Sequence, residues 1–82
     1  MIRVLIVDDH PLVRQGLTGV LANAHDIEVV DAVANGALAA GAEEAARADI
    51  VLMDLSMPGM DGVEATAEVL ARCPEVRVVV LT

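Results

Sequence analysis

Four short apolar runs divide the chain, and three of them stop abruptly at a residue with oxygen donors. Ile2–Val7 gives way to Asp8-Asp9, Ile50–Met53 to Asp54, and Val76–Leu81 to Thr82. Runs of this length that are apolar at successive positions, rich in Val and Ile, read as strands covered on both faces of a parallel sheet. The second run, Ile27–Val33, differs because Glu28 and Asp31 interrupt it. Its polar content suits an edge strand.

The segments between these runs read as helices. Pro11 suits a first helical turn. Val13, Leu17, Val20, Leu21 and Ala24 then recur at the spacing of one helical face. Gly16 and Gly19 weaken that helix by about 1 kcal/mol each relative to Ala. Asn35-Gly36 marks a turn. Ala37–Ala46 is helical by propensity, with Gly41 as its weak point, although a low-complexity linker would share this composition. Leu55–Met60 is a loop, and Asp61 and Glu64 have the spacing of a capping box. Val63, Ala67 and Leu70 form the apolar stripe of a third helix, which Pro74 ends. The order β-α-β-α-β-α-β predicts an α/β fold, a doubly wound parallel sheet with right-handed crossovers and helices on both faces. With 82 residues, the chain is expected to form one domain spanning 1–82.

Composition narrows the chemistry. Thirteen acids face five bases, all arginine, for a net charge of -8, and there is no Phe, Tyr or Trp. Phosphate-backbone binding needs Lys or Arg, and base stacking needs aromatic rings, so this chain alone is expected to be a poor nucleic-acid binder. Without lysine there is neither a Schiff base nor a P-loop. No GxGxxG follows a strand, so a dinucleotide site is not expected. The single cysteine, Cys73, rules out an internal disulfide and reads as an ordinary thiol. Met-Ile-Arg does not open a signal peptide, and no apolar run approaches the roughly 20 residues of a membrane helix. The expectation is a soluble, cytoplasmic domain with no membrane partner.

Ligands of open α/β sheets bind beyond the carboxyl ends of the strands. If the first and third strands are neighbours, Asp8, Asp9 and Asp54 converge at one sheet edge, with Thr82 at the end of the fourth strand. Taken singly, each could be no more than a loop residue or helix cap. Gathered together, two carboxylates about 4 Å apart repel by roughly 4 kcal/mol at an effective dielectric near 20. Protonation or a bound cation relieves that repulsion. Oxygen donors suit a hard ion such as Mg²⁺, which holds one or two carboxylates, several waters and a substrate phosphate. His10 and His25 lack a partnered Cys or His at metal spacing and read as surface residues, and Met53, Met57 and Met60 read as packing residues.

Three motifs now stand in order: Ile6-Val7-Asp8-Asp9-His10-Pro11, Leu52-Met53-Asp54-Leu55-Ser56-Met57-Pro58-Gly59-Met60-Asp61-Gly62, and Val79-Val80-Leu81-Thr82. Together they resemble the receiver domain of bacterial response regulators. Asp-Asp-His-Pro and the following Arg14-Gln15-Gly16-Leu17 are most similar to the NarL/FixJ subfamily, whose members usually carry a C-terminal LuxR-type helix-turn-helix. The resemblance implies a flavodoxin-like sheet of order 2-1-3-4, short of the fifth strand of the full order 2-1-3-4-5.

It also implies roles. Asp54 would be the phosphorylated nucleophile, taking a phosphoryl group from a sensor histidine kinase. Asp8, Asp9, Asp54 and the backbone carbonyl of Ser56 would hold Mg²⁺. Thr82 would be the switch hydroxyl, and Met57, Pro58 and Gly59 would fix the loop beside the nucleophile. Transcription would be controlled through an attached DNA-binding domain outside this chain. The family's lysine ends a fifth strand, and this chain has neither. Ala48 stands where relatives commonly carry proline. On this reading the chain is the first four-fifths of a receiver. Its fourth strand would then be an exposed apolar edge that favours self-association, as a dimer or by swapping. A phosphorylation-independent interaction module is the alternative. A phosphohydrolase working through an aspartyl phosphate is a third reading, weakened because Ser56 stands where such enzymes need a second acid.

Overall fold

A computed structural model of the chain describes residues 1–35, 47–54 and 62–81. Among these, β1 spans Ile2–Val7, α1 Pro11–Ala22, β2 Ile27–Val33, β3 Ile50–Asp54, α2 Gly62–Arg72 and β4 Arg77–Leu81. The four strands form one parallel sheet in the order β2-β1-β3-β4. Both the predicted strand order and the edge position of the polar strand β2 are found. The helix expected over Ala37–Ala46 and the turn at Asn35-Gly36 fall wholly or partly outside the described residues, as does the capping residue Asp61.

The centre of the sheet is made by the most continuous apolar runs. Leu5, Ile6, Val7, Val51 and Met53 are fully buried. One face joins Leu5, Val7, Val51 and Met53 to Ala48, Ala65, Val69 and Val76 in a single core, with Val30, Val33, Cys73 and Val78 packed against it. Strand β2 pairs with β1 in a register that slips by one residue between Val4 and Leu5, so Val30 has no partner in the ladder. Such a bulge lets one residue leave the alternation. Val30 turns to the core while Glu28 and Asp31 remain exposed.

Both helices bury faces other than those their spacing first suggests. Of the stripe expected for α1, Leu17 and Leu21 are half-buried, as is Ala24 just past the end of the helix, but Val13 and Val20 are exposed, Val20 at 70%. Arg14 and Thr18 take part in the covered stripe instead. At 100° per residue, the axis of contact is turned toward Arg14 and Leu21 and away from Val13 and Val20. On α2 the expected stripe of Val63, Ala67 and Leu70 is exposed, and Ala65 and Val69 are buried. Two apolar stripes run along this helix at helical spacing, and the sheet covers the one that continues into Cys73. The helix ends at Arg72, two residues before Pro74, as predicted.

The amino-terminal end of the sheet is tied by Asp49. Its Oδ2 accepts from the Arg3 backbone N–H at 2.8 Å, its own N–H donates to the Arg3 carbonyl at 2.7 Å, and its carbonyl accepts from the Arg77 N–H at 3.1 Å. One residue thus closes the starts of β1, β3 and β4. A cavity of about 410 Å³ lined by Arg3, Asp49, Arg72 and Cys73 opens at this end, opposite the acidic one.

Candidate functional site

Strand register brings the acids together. Val7 pairs with Met53 across β1 and β3, so Asp8 follows one strand at the level where Asp54 completes the other. Both aspartates are buried, Asp8 to 4% and Asp54 to 7% exposure. One ligand atom from each of Asp8, Asp9, His10 and Asp54 lies within 4.8 Å of the others. The convergence expected from the topological rule is present.

Asp8 is fixed from three directions. Its backbone N–H donates to the Val33 carbonyl at 3.0 Å, which locks the end of β1 to β2. Its Oδ1 accepts from the His10 backbone N–H at 2.8 Å, turning the chain out of the strand. Its carbonyl accepts from Arg14 Nη1 at 2.7 Å, which ties that turn to α1. The helix begins at Pro11, whose missing N–H costs nothing at a first turn, and His10 precedes it in extended conformation without a side-chain cap.

Asp9 is held less firmly. Its Oδ1 is buried and accepts no hydrogen bond, and His10 Nδ1 stands 2.9 Å away without hydrogen-bond geometry. The same nitrogen is 3.3 Å from Asp8 Oδ1, where a hydrogen bond is formed. A buried carboxylate oxygen without a donor is unfavourable. A cation supplies what it lacks, so the residues present fit a hard divalent ion held by Asp8, Asp9 and Asp54.

His10 is exposed, as expected, but the sequence alone gave it no part in this cluster. Its position directly after two acids at a strand end was the signal. Arg14 was legible only as part of a motif; its grip on the Asp8 carbonyl depends on how α1 leaves the strand. Ser56, Met57, Pro58, Gly59 and Thr82 lie outside the described residues. Leu81, which precedes Thr82, pairs with Asp54. Met53 is buried in the core, as expected of a packing methionine, and Cys73 is a free thiol beside it. Among the described residues, no helix is long and apolar enough to cross a membrane.

Comparison with known proteins places this arrangement. Residues 4–82 match the response regulator receiver domain. The chain is 44% identical to the response regulator GacA of Pseudomonas viridiflava over 82 residues, covering all of this chain and 38% of that protein. It is 47% identical to the response regulator protein VraR of Staphylococcus epidermidis over 81 residues, covering 99% of this chain and 39% of that one. The chain therefore spans about two-fifths of the length of these relatives. Among solved structures, RcsB of Salmonella enterica serovar Typhimurium, bound to promoter rprA in the presence of the phosphomimetic BeF3-, superposes with a TM-score of 0.88 at 28% identity, over all of this chain and 69% of that one. The likeness runs from the first strand to the last in both sequence and fold, and by it the chain belongs to the receiver domain family of two-component response regulators.

Proposed function

We propose that this chain is a phosphoacceptor switch in which Asp54 takes a phosphoryl group from a sensor histidine kinase. The observation that carries the reading is the gathering of Asp8, Asp9 and Asp54 at the carboxyl edge of the sheet. A carboxylate oxygen of Asp54 attacks phosphorus, the new P–O bond forms, and the bond from phosphorus to the kinase histidine nitrogen breaks, returning its electron pair to the imidazole. Asp54 is nucleophile rather than solvated side chain because the central strand β3 presents it nearly buried. Mg²⁺, held by Asp8, Asp9, Asp54 and the Ser56 carbonyl, would neutralise charge in the loose transition state. Asp8 orients the pocket through its ties to Val33, His10 and Arg14.

Thr82 follows the register partner of Asp54 in sequence and is assigned the switch hydroxyl, and Met57, Pro58 and Gly59 the loop that shapes the approach. The whole of 1–82 is assigned to the receiver, acting in the cytoplasm. Output through a DNA-binding domain elsewhere in a longer protein is consistent with the promoter-bound state of RcsB. The matched family is one of signalling receivers, so turnover of a free substrate is not part of the proposal.

A second reading, association without phosphorylation, rests on β4, where Val79 and Val80 are 46% and 43% exposed at the sheet edge. Incubation with Mg²⁺ and acetyl phosphate, followed by mass spectrometry of the peptide bearing Asp54, separates the two. The switch reading expects one phosphoryl group on that peptide, lost in Asp54→Asn and without Mg²⁺. A chain that associates identically with or without Mg²⁺ and beryllofluoride, and takes no phosphoryl group, leaves only the second reading.

A further inference from the structure

The acidic pocket contains a donor that the phosphoacceptor reading does not use. His10 Nδ1 lies 3.3 Å from Asp8 Oδ1 and 2.9 Å from Asp9 Oδ1. A cation with bonds of about 2.0–2.1 Å spaces neighbouring ligand atoms roughly 2.8–3.0 Å apart in an octahedral set and roughly 3.3–3.4 Å apart in a tetrahedral one. The nitrogen therefore already stands near ligand spacing from two carboxylates. Its backbone is held on both sides, with the His10 N–H bonded to Asp8 Oδ1 at 2.8 Å and its carbonyl accepting from the Arg14 N–H at 3.0 Å. The ring is open to solvent, so an ion can reach it. Between the ring and Asp9, a nitrogen and a buried oxygen touch without a hydrogen bond. A shared cation would give that oxygen the partner it lacks, with Nδ1 exchanging its hydrogen bond to Asp8 Oδ1 for the ion.

We propose that His10 Nδ1 is a fourth donor of the pocket and sets its cation preference, so that the pocket takes a borderline transition-metal ion such as Zn²⁺ as well as Mg²⁺. This rests on the reading of Asp8, Asp9 and Asp54 as cation ligands. Mg²⁺ selects oxygen donors and gains little from a nitrogen, whereas Zn²⁺ binds imidazole readily. One imidazole added to three carboxylates converts a hard oxygen site into a mixed one. His10 is then a specificity-determining residue, separate from the nucleophile.

The test titrates Zn²⁺ and Mg²⁺ separately into the 82-residue chain and its His10→Gln variant by calorimetry. The imidazole nitrogen resonances are followed by NMR, with His25 as internal reference. The preference for Zn²⁺ over Mg²⁺, read as the ratio of dissociation constants, should fall about tenfold or more in His10→Gln. The His10 Nδ1 resonance should move on Zn²⁺ addition while those of His25 stay in place. An unchanged ratio overturns the inference, as do equal shifts of the two histidines. Both ions binding without regard to His10 leaves the cation reading of the three acids standing. A wild-type chain that binds neither ion overturns that reading together with this one.

Discussion

Arg14, in the first turn of α1, reaches back and donates from Nη1 to the backbone carbonyl of Asp8 at 2.7 Å. The bond joins a helix to the residue that ends the central strand, and it holds the turn from which the acids project. Replacing Arg14 by Ala leaves that half-buried carbonyl without its charged donor. Stability should fall by about 1–2 kcal/mol, read from the urea midpoint. Mg²⁺ affinity should fall several-fold in the same variant, because Asp8 loses one of its three anchors. Arg14→Lys should recover only part of both losses, since a compact ammonium lacks the planar reach of guanidinium.

Asp9 offers a test with two opposite signs. Its Oδ1 is buried without a hydrogen bond, beside two further carboxylates. Asp9→Asn removes a charge from the cluster and should raise the melting temperature of the metal-free chain, a gain of about 1 kcal/mol. Saturating Mg²⁺ stabilises only what binds it, so the order should reverse, with wild type melting higher. Paired melts with and without Mg²⁺ measure both signs. A variant less stable than wild type in both conditions would mean that Asp9 is structural rather than a cation ligand.

At the other end of the sheet, Asp49 separates hydrogen bonding from charge. The Arg3–Asp49 ion pair is 3.7 Å long with both side chains about half exposed, a geometry that contributes little. The Asp49 Oδ2 bond to the Arg3 N–H carries more. Asp49→Asn keeps an acceptor and should stay near wild-type stability, while Asp49→Ala should lose about 0.5–1 kcal/mol. Denaturation in low and high salt checks this, since little salt dependence is expected of the wild type.

The β4 edge should make the chain self-associate. Val79 and Val80, on opposite faces of the outermost strand of the described sheet, are both exposed. Light scattering across a micromolar dilution series should show a mass above that of one chain, falling on dilution. Val80→Lys, which places a charge on an unprotected edge, should shift the mass toward the single chain without lowering the unfolding midpoint.

The strands are legible from sequence because three are short apolar runs bounded by polar residues, and β2, though interrupted by Glu28 and Asp31, keeps enough Val and Ile to read as an edge strand. The meeting of Asp8, Asp9 and Asp54 followed from one topological rule. The helices were less so. Val63, Ala67 and Leu70 share a face as truly as Ala65 and Val69 do, and periodicity cannot say which face meets the sheet. That choice is made by where α2 leaves the strand it follows, a three-dimensional fact. The same holds for Val13 and Val20 on α1, displaced by Arg14 and Thr18. His10 has no Cys or His at metal-ligand spacing along the sequence; its neighbours in the cluster include the two acids directly before it, gathered by a turn.

The two borders of the sheet are unlike. β2 carries exposed acids and a slipped register at Val30, which repel an incoming strand and deny it a regular ladder. β4 carries valines in regular register with β3. Among the described residues, strand addition is therefore opposed at β2 and favoured at β4. Two chains that meet through β4 about a twofold axis use up both adhesive borders, and each outer border of the joined sheet is then a β2. Assembly by this route closes at the pair and does not propagate into a filament.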